Sequence, residues 1–216
     1  MIDFDLPERY LSAIMQFMPQ EYDLRIELCG VHVEIWPTHL IVTASDGKIM
    51  GTIFIPDVRI DAAGGDCYPH FLFLPMGMLQ EFGIKRSQYS LTVEAEEGAG
   101  LITLSFLGKQ ISGSTAVTRN PNIRSKLFSR VKELGWLPPG RPSSYDPVLL
   151  NRLFMAEKIL LQGKRKATDR TRLVIRQCGL EAGIVTLTGF PNFYGAIMPL
   201  NVDHNDLDLE FPDWLF

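Results

Sequence analysis

The stretch Cys67-Tyr68-Pro69-His70 sets a thiol and an imidazole close together, a pairing that could ligate a metal or activate a nucleophile. Either use needs further Cys or His partners at ligand spacing, and the sequence supplies none there. Asp57, Asp61 and Asp66 in a Gly-containing stretch could hold a divalent cation, but their spacing is not that of an EF-hand, and solvated loop charge accounts for them better. His32 and His39 flank a strand turn, where a lone histidine is ordinarily a packed or surface residue. G-x-S-x-G, H-E-x-x-H and Gly-rich phosphate loops do not occur. No catalytic residue, metal or cofactor is assigned, and the chain is expected not to be an enzyme.

Charge patterning points elsewhere. The 216 residues carry a formal charge of −4, yet 14 of the 21 Lys and Arg fall between Arg119 and Arg176, against four acidic residues. Such a block predicts a surface that faces a polyanion, unless it merely neutralises an acidic surface nearby. A basic helix over Ile123 to Leu134 repeats Ile123, Leu127, Val131 and Leu134 on one side and Arg124, Lys126, Arg130 and Lys132 on the other. Together with Arg119 and the polar loop carrying Lys164, Arg165, Lys166, Arg170 and Arg172, these cations are the candidate contacts to that polyanion.

The segment from Val202 to Phe216 has the opposite character. Asp203, Asp206, Asp208, Glu210 and Asp213 alternate with apolar residues, and no Lys or Arg interrupts them. This resembles the acidic, Phe-terminated tails of single-stranded-DNA-binding proteins, which dock on partner proteins; Phe211, Trp214 and Phe216 would be the docking side chains. Packing of these aromatics on the body, as a last strand or against another copy, is the other reading.

The elements that must position these residues are short. Helical spacing runs from Pro7 to Met18, with Pro19 as a stop. Strands are expected at Leu24–Cys29, Val31–Trp36, Leu40–Ala44 and Ile49–Ile55, with Asp46-Gly47 as a hairpin turn. After a loop over Asp57 to Pro69 come a strand at Phe71–Leu74, a helix from Pro75 to about Phe82, and strands at Ser90–Glu96, Leu101–Phe106 and Gln110–Ala116. The Pro- and Gly-rich stretch from Pro138 to Ser144 leads to a helix opened by Asp146-Pro147, an N-cap followed by proline in the first turn. Strands at Leu173–Gln177, Ile184–Thr188 and Tyr194–Met198 follow. The three cysteines, Cys29, Cys67 and Cys178, are too sparse for a disulfide framework and read as buried or half-buried thiols. With no basic n-region and no apolar run of bilayer length, a cytoplasmic protein without membrane contact is expected.

Three segments, in order, resemble the bacterial beta sliding clamp, the ring-shaped processivity subunit of the replicative polymerase (DNA polymerase III beta). Leu40-Ile41-Val42-Thr43-Ala44-Ser45-Asp46-Gly47-Lys48 looks like the clamp's strand-turn-strand around T-A-T-D-G. Tyr145-Asp146-Pro147 with Leu149-Leu150 is similar to the F-N-P-x-Y-L-L opening of its last helix. Tyr194-Gly195-Ala196-Ile197-Met198-Pro199-Leu200 looks like its final strand, which ends in M-P-M-R; Asn201 stands where that arginine would be. The chain is also shorter than the three-domain clamp chain.

The resemblance implies a DNA-clamp-like α+β fold, with curved antiparallel sheets and short helices on one face. It implies a first clamp-like domain over 1–118, a second, shortened one over 119–201 and an acidic tail over 202–216. The helices would line a surface facing double-stranded DNA, with Arg119, the basic helix Ile123 to Leu134 and the loop Lys164 to Arg172 as its DNA contacts, holding phosphates by counterion release without reading bases. Met198 and Pro199 would lie beside a cleft that takes peptides from replication proteins, though they could equally be a buried strand end. Two helices per domain would let three copies close a twelve-helix ring, a homo-oligomer. The expected function is DNA tethering in replication with recruitment of partners. The alternative is an adaptor or inhibitor of replication proteins that uses its acidic aromatic tail and binds no DNA.

Overall fold

The computed structural model describes residues 1–62, 68–84, 89–96, 100–114, 124, 128–129, 144–161, 173–176 and 182–200. Strand β1 (Ile2–Pro7) turns directly into helix α1 (Glu8–Ile14), because Pro7 at the N-cap is extended and lacks the amide that a helix interior would require. A 3-10 turn, Met15–Phe17, prolongs α1 until Pro19 forbids continuation. Then come β2 (Gly30–Ile35), β3 (His39–Ser45), β4 (Ile49–Pro56), the short β5 (Ile60–Ala62) and β6 (His70–Pro75). Helix α2 (Met76–Phe82) ends on Gly83, whose φ of +73° is open to glycine at little cost. Strands β7 (Ser90–Glu96), β8 (Leu101–Phe106) and β9 (Lys109–Ser114) follow. Helix α3 (Pro147–Leu160) is capped by Asp146, whose carboxylate accepts from the Val148 amide at 2.8 Å. Strands β10 (Leu173–Arg176), β11 (Gly183–Leu187) and β12 (Phe190–Ile197) complete the order.

The strands form two antiparallel sheets, β5-β1-β7-β8-β9 and β10-β11-β12-β4-β3-β2-β6. Consecutive hairpins account for most neighbours. The exception that shapes the molecule is β12 against β4, where Phe193 faces Ile53, Gly195 faces Gly51 and Ile197 faces Ile49. This pairing fuses strands from both halves of the chain into one seven-stranded sheet.

Period-two alternation decides what lies on each side of that sheet. Val31, Val33 and Ile35 of β2, Leu40, Val42 and Ala44 of β3, and Ile49, Ile53 and Ile55 of β4 point into one core with Leu11 and Ile14 of α1 and Leu149, Leu153, Ala156 and Leu160 of α3. The inward residues of the five-stranded sheet, among them Phe4, Leu6, Leu91, Val93, Ile102 and Leu104, join the same core. His32, Glu34, Thr43, Met50, Thr52 and Ala196 occupy the opposite face of the seven-stranded sheet.

Two segments differ from expectation. Leu24–Cys29 is not a strand but a 3-10 turn, Ile26–Leu28, with Leu24 fully exposed. The Asp23 carboxylate accepts from the Arg25 amide at 2.8 Å, a local bond that competes with extended pairing. Strand β1 was not expected, although Ile2, Phe4 and Leu6 alternate with Asp3 and Asp5. The boundary expected near residue 118 and the tail over 202–216 lie outside the described residues, as do Cys67 and Cys178; Cys29 is a buried free thiol. No described helix is long and apolar enough to cross a membrane.

Candidate functional site

The β3–β4 turn is organised by its own side chains. Asp46 Oδ1 accepts from the amides of Lys48 (2.8 Å) and Ile49 (2.9 Å), while Ser45 Oγ accepts from the Gly47 amide at 3.0 Å and donates to the Ile49 carbonyl at 2.9 Å. Gly47 has φ +89°, and a Cβ there would stand 2.8 Å from Nη1 of Arg25. Arg25 lies across the turn, its Nη2 donating to Asp23 Oδ2 at 2.8 Å. That side-chain bond is the main reason the Asp23 carboxyl is pulled down to about 2.

Two further contacts tie this turn to the second half of the chain. The Met198 amide donates to the Lys48 carbonyl at 2.8 Å, so the end of β12 is held against the turn. Arg152 of α3 donates through Nη1 to Asp46 Oδ2, through Nε to the Gln16 carbonyl at 2.6 Å, and through Nη2 to the Met18 carbonyl at 2.7 Å. One buried guanidinium therefore joins α3, the end of α1 and the turn.

Beside the turn and the end of β12 lies an open groove of about 320 Å³. Its apolar lining comes from Leu28, Ile49, Met50, Ala182, Ala196 and Met198, and Arg25, Glu27 and Lys48 contribute charge. An apolar concavity with a few charged groups suits an extended peptide whose alternate side chains are apolar.

Beside the groove, the outer face of the sheet is covered by residues of the expected basic helix. Phe128 packs on Met50, Ala182, Ile184 and Ala196, with its ring edge-on to Tyr194 at 6.2 Å. Arg124 grips Glu34 of β2 with two nitrogens, Nη2 lying 2.7 Å from Oε2 and Nε 3.0 Å from Oε1. Arg124, Phe128 and Ser129 are helical, but Arg124 and Phe128 stand on the face of the sheet opposite to α1 and α3.

Of the sequence-assigned residues, Met198 lines the groove and Pro199 follows it. Arg124 is engaged by Glu34, so its charge is largely matched before any phosphate arrives. Arg119, Lys126, Arg130, Lys132, Lys164, Arg165, Lys166, Arg170, Arg172, Phe211, Trp214 and Phe216 lie outside the described residues. Sequence reasoning missed Arg25, Lys48 and Arg152 as parts of this site. Asp46 in the turn was a legible signal, but its partner on α3 is 106 residues away. Among the described residues, no three His, Cys, Asp or Glu cluster as a metal site would require.

Neither a protein-family model nor a curated protein matches the sequence. Solved structures do match in fold. The DNA polymerase III beta chain of Streptococcus pneumoniae superposes with a TM-score of 0.61 at 11% identity, covering 98% of this chain and 69% of its own. The Helicobacter pylori beta clamp bound to a DNA ligase peptide gives 0.63 at 11% identity, covering 93% and 66%. The Pseudomonas aeruginosa beta subunit gives 0.59 at 12% identity, covering 93% and 67%. The chain spans about two thirds of the length of these clamps. The expected clamp-like α+β fold is the fold observed.

Proposed function

We propose that this chain is a clamp-like accessory protein of DNA replication that docks short peptide segments of partner proteins in the groove beside β12. The observation that carries the reading is the groove's position, at the seam where the β3–β4 turn meets the end of the last strand. A clamp of the same fold is known with a DNA ligase peptide bound. The first clamp-like domain over 1–118 would then hold β1 to β9, and the shortened second one over 119–201 would add α3 and β10 to β12, whose apolar residues share the core of the first.

The test uses a fluorescent synthetic copy of that ligase peptide. Saturable binding is expected, with shifts of the ¹³C-methyl resonances of Met50 and Met198, and Met198→Glu should weaken it at least about tenfold, the effect of losing roughly 1.4 kcal/mol. Binding that leaves both methyls unmoved would place the site elsewhere and refute the groove.

DNA tethering is the second part of the proposal. Among the described residues the cations of α1 and α3 are Arg9, Arg152 and Lys158, and Arg152 is buried. The tether therefore draws on the block over 119–141 and on 164–172. Lys126→Glu with Arg130→Glu should lower DNA affinity equally for all sequences and flatten its salt dependence, whereas Arg124→Ala should leave it unchanged. The engagement of Arg124 by Glu34 favours the alternative of an adaptor without DNA binding. Absence of DNA affinity at low salt would establish that alternative. Ring closure by identical copies would have to join edges other than β4, whose free side β12 covers; mass by light scattering at high concentration tests it.

A further inference from the structure

We infer that residues 206–211 of the same chain, Asp206-Leu207-Asp208-Leu209-Glu210-Phe211, dock in the groove and compete there with partner peptides. The inference rests on the groove being a peptide site, and it adds an occupant and hence a form of self-regulation.

Three observations support it. In an extended conformation Leu207, Leu209 and Phe211 fall on one side and Asp206, Asp208 and Glu210 on the other, the pattern of a segment with a single apolar edge. The groove offers the complement, an apolar lining including Met50, Ala196 and Met198 with Arg25 and Lys48 among its charged groups. The segment from Asn201 to Phe216 holds five Asp and Glu and no Lys or Arg; Arg25 is already paired with Asp23 and Glu27 also lines the groove, so Lys48 is the cation those carboxylates would meet.

Reach is the third observation. Met198 lines the groove, and the Leu200 amide is fixed to the Ser144 carbonyl at 2.8 Å. Six residues, 201–206, separate Leu200 from Leu207, enough to span about 20 Å or to turn back on β12. Such a short connection gives an effective concentration on the order of millimolar. A second copy of the chain at micromolar concentration competes poorly with that, so the occupant is the chain's own segment.

The test compares the full chain, a chain stopped after Leu200, and the full chain carrying Leu207→Ala, Leu209→Ala and Phe211→Ala. The probes are a fluorescein-labelled peptide of residues 203–213 and the labelled ligase peptide, read by anisotropy and by the Met50 and Met198 methyl resonances. The shortened chain should bind the 203–213 peptide and shift both methyls. The full chain should bind it about tenfold more weakly, as a millimolar local competitor with a Kd of ~100 µM requires, and the triple variant should recover the affinity of the shortened chain. Equal affinity of full and shortened chains overturns the inference and leaves the groove standing. So does a shortened chain whose methyls respond to the ligase peptide but not to the 203–213 peptide. If neither probe moves the methyls, the groove reading fails as well. Competition that disappears on dilution overturns the cis arrangement in favour of exchange between copies.

Discussion

Replacing Arg152 by methionine keeps an aliphatic stem in α3 and removes only the guanidinium. Its side chain is 10% exposed and that of Asp46 is 14%, so their ion pair sits largely away from water. The substitution also strips charged donors from the Gln16 and Met18 carbonyls, at 2.6 and 2.7 Å. Breaking a buried pair from one side costs about 3–5 kcal/mol. Asp46 keeps the Lys48 and Ile49 amides, which places the expected loss near the lower end, about 3 kcal/mol. For a chain of this size that lowers Tm by roughly 6–12 °C. Calorimetry and urea unfolding of Arg152→Met, Asp46→Asn and the double variant measure it, with a coupling on the order of 1–3 kcal/mol expected between the two positions. The groove should lose peptide affinity in step, because Ser45, Gly47 and Lys48 of the same turn line it. A change within about 0.5 kcal/mol, or strictly additive effects, would show that α3 is not tied to the turn through this residue.

His32 is buried against Phe73, and its Nε2 donates to the Glu27 carbonyl at 2.6 Å. Burial is the main cause of its depressed pKa, so the neutral ring is the folded form. Its contribution to stability is complete above the ordinary value of about 6.5 and is lost as pH falls through the lower folded value. Urea unfolding from pH 7.5 to 5 should show this decline, and His32→Gln should flatten it; an unchanged slope would exclude His32 as the source. A methyl at Gly51 would lie 2.4 Å from the ring of fully buried Phe17, so Gly51→Ala should cost about 1–3 kcal/mol by thermal unfolding. Arg124→Ala strands the Glu34 carboxylate, whose side chain is 10% exposed, and should cost about 1–3 kcal/mol in the same assay.

Local patterns carried most of the fold into the sequence. Alternation marked β7 and β8 to the residue, Asp146-Pro147 marked the start of α3, and Asp46-Gly47 marked the β3–β4 turn. The segment from Leu24 to Cys29 misled because its apolar content looks like a strand while Asp23 and Arg25 bend it locally. The candidate site was half legible. Met198 was marked by the resemblance of its strand to the clamp's final one, whereas Arg25 and Arg152 reach Asp46 of the turn from 21 and 106 residues away, a convergence that no local pattern encodes. Charge blocks had the same limit: Arg124 reads as one cation among many until β2 supplies Glu34.

The pairing of β12 with β4 also sets a timetable for the chain. Tyr194 lies opposite Thr52, so 142 residues separate the partners, and the hydrogen-bonding edge of β4 stays uncovered until nearly the whole described chain has been made. At about 5–20 residues per second that is roughly 7–30 s of synthesis. Meanwhile β2 and β3 have both in-sheet neighbours, but β4 has only β3, and its Gly51 and Ile53 present an open strand edge to any other extended chain. Newborn protein should depend on chaperones, or on β12 arriving promptly, far more than the finished protein's stability would suggest.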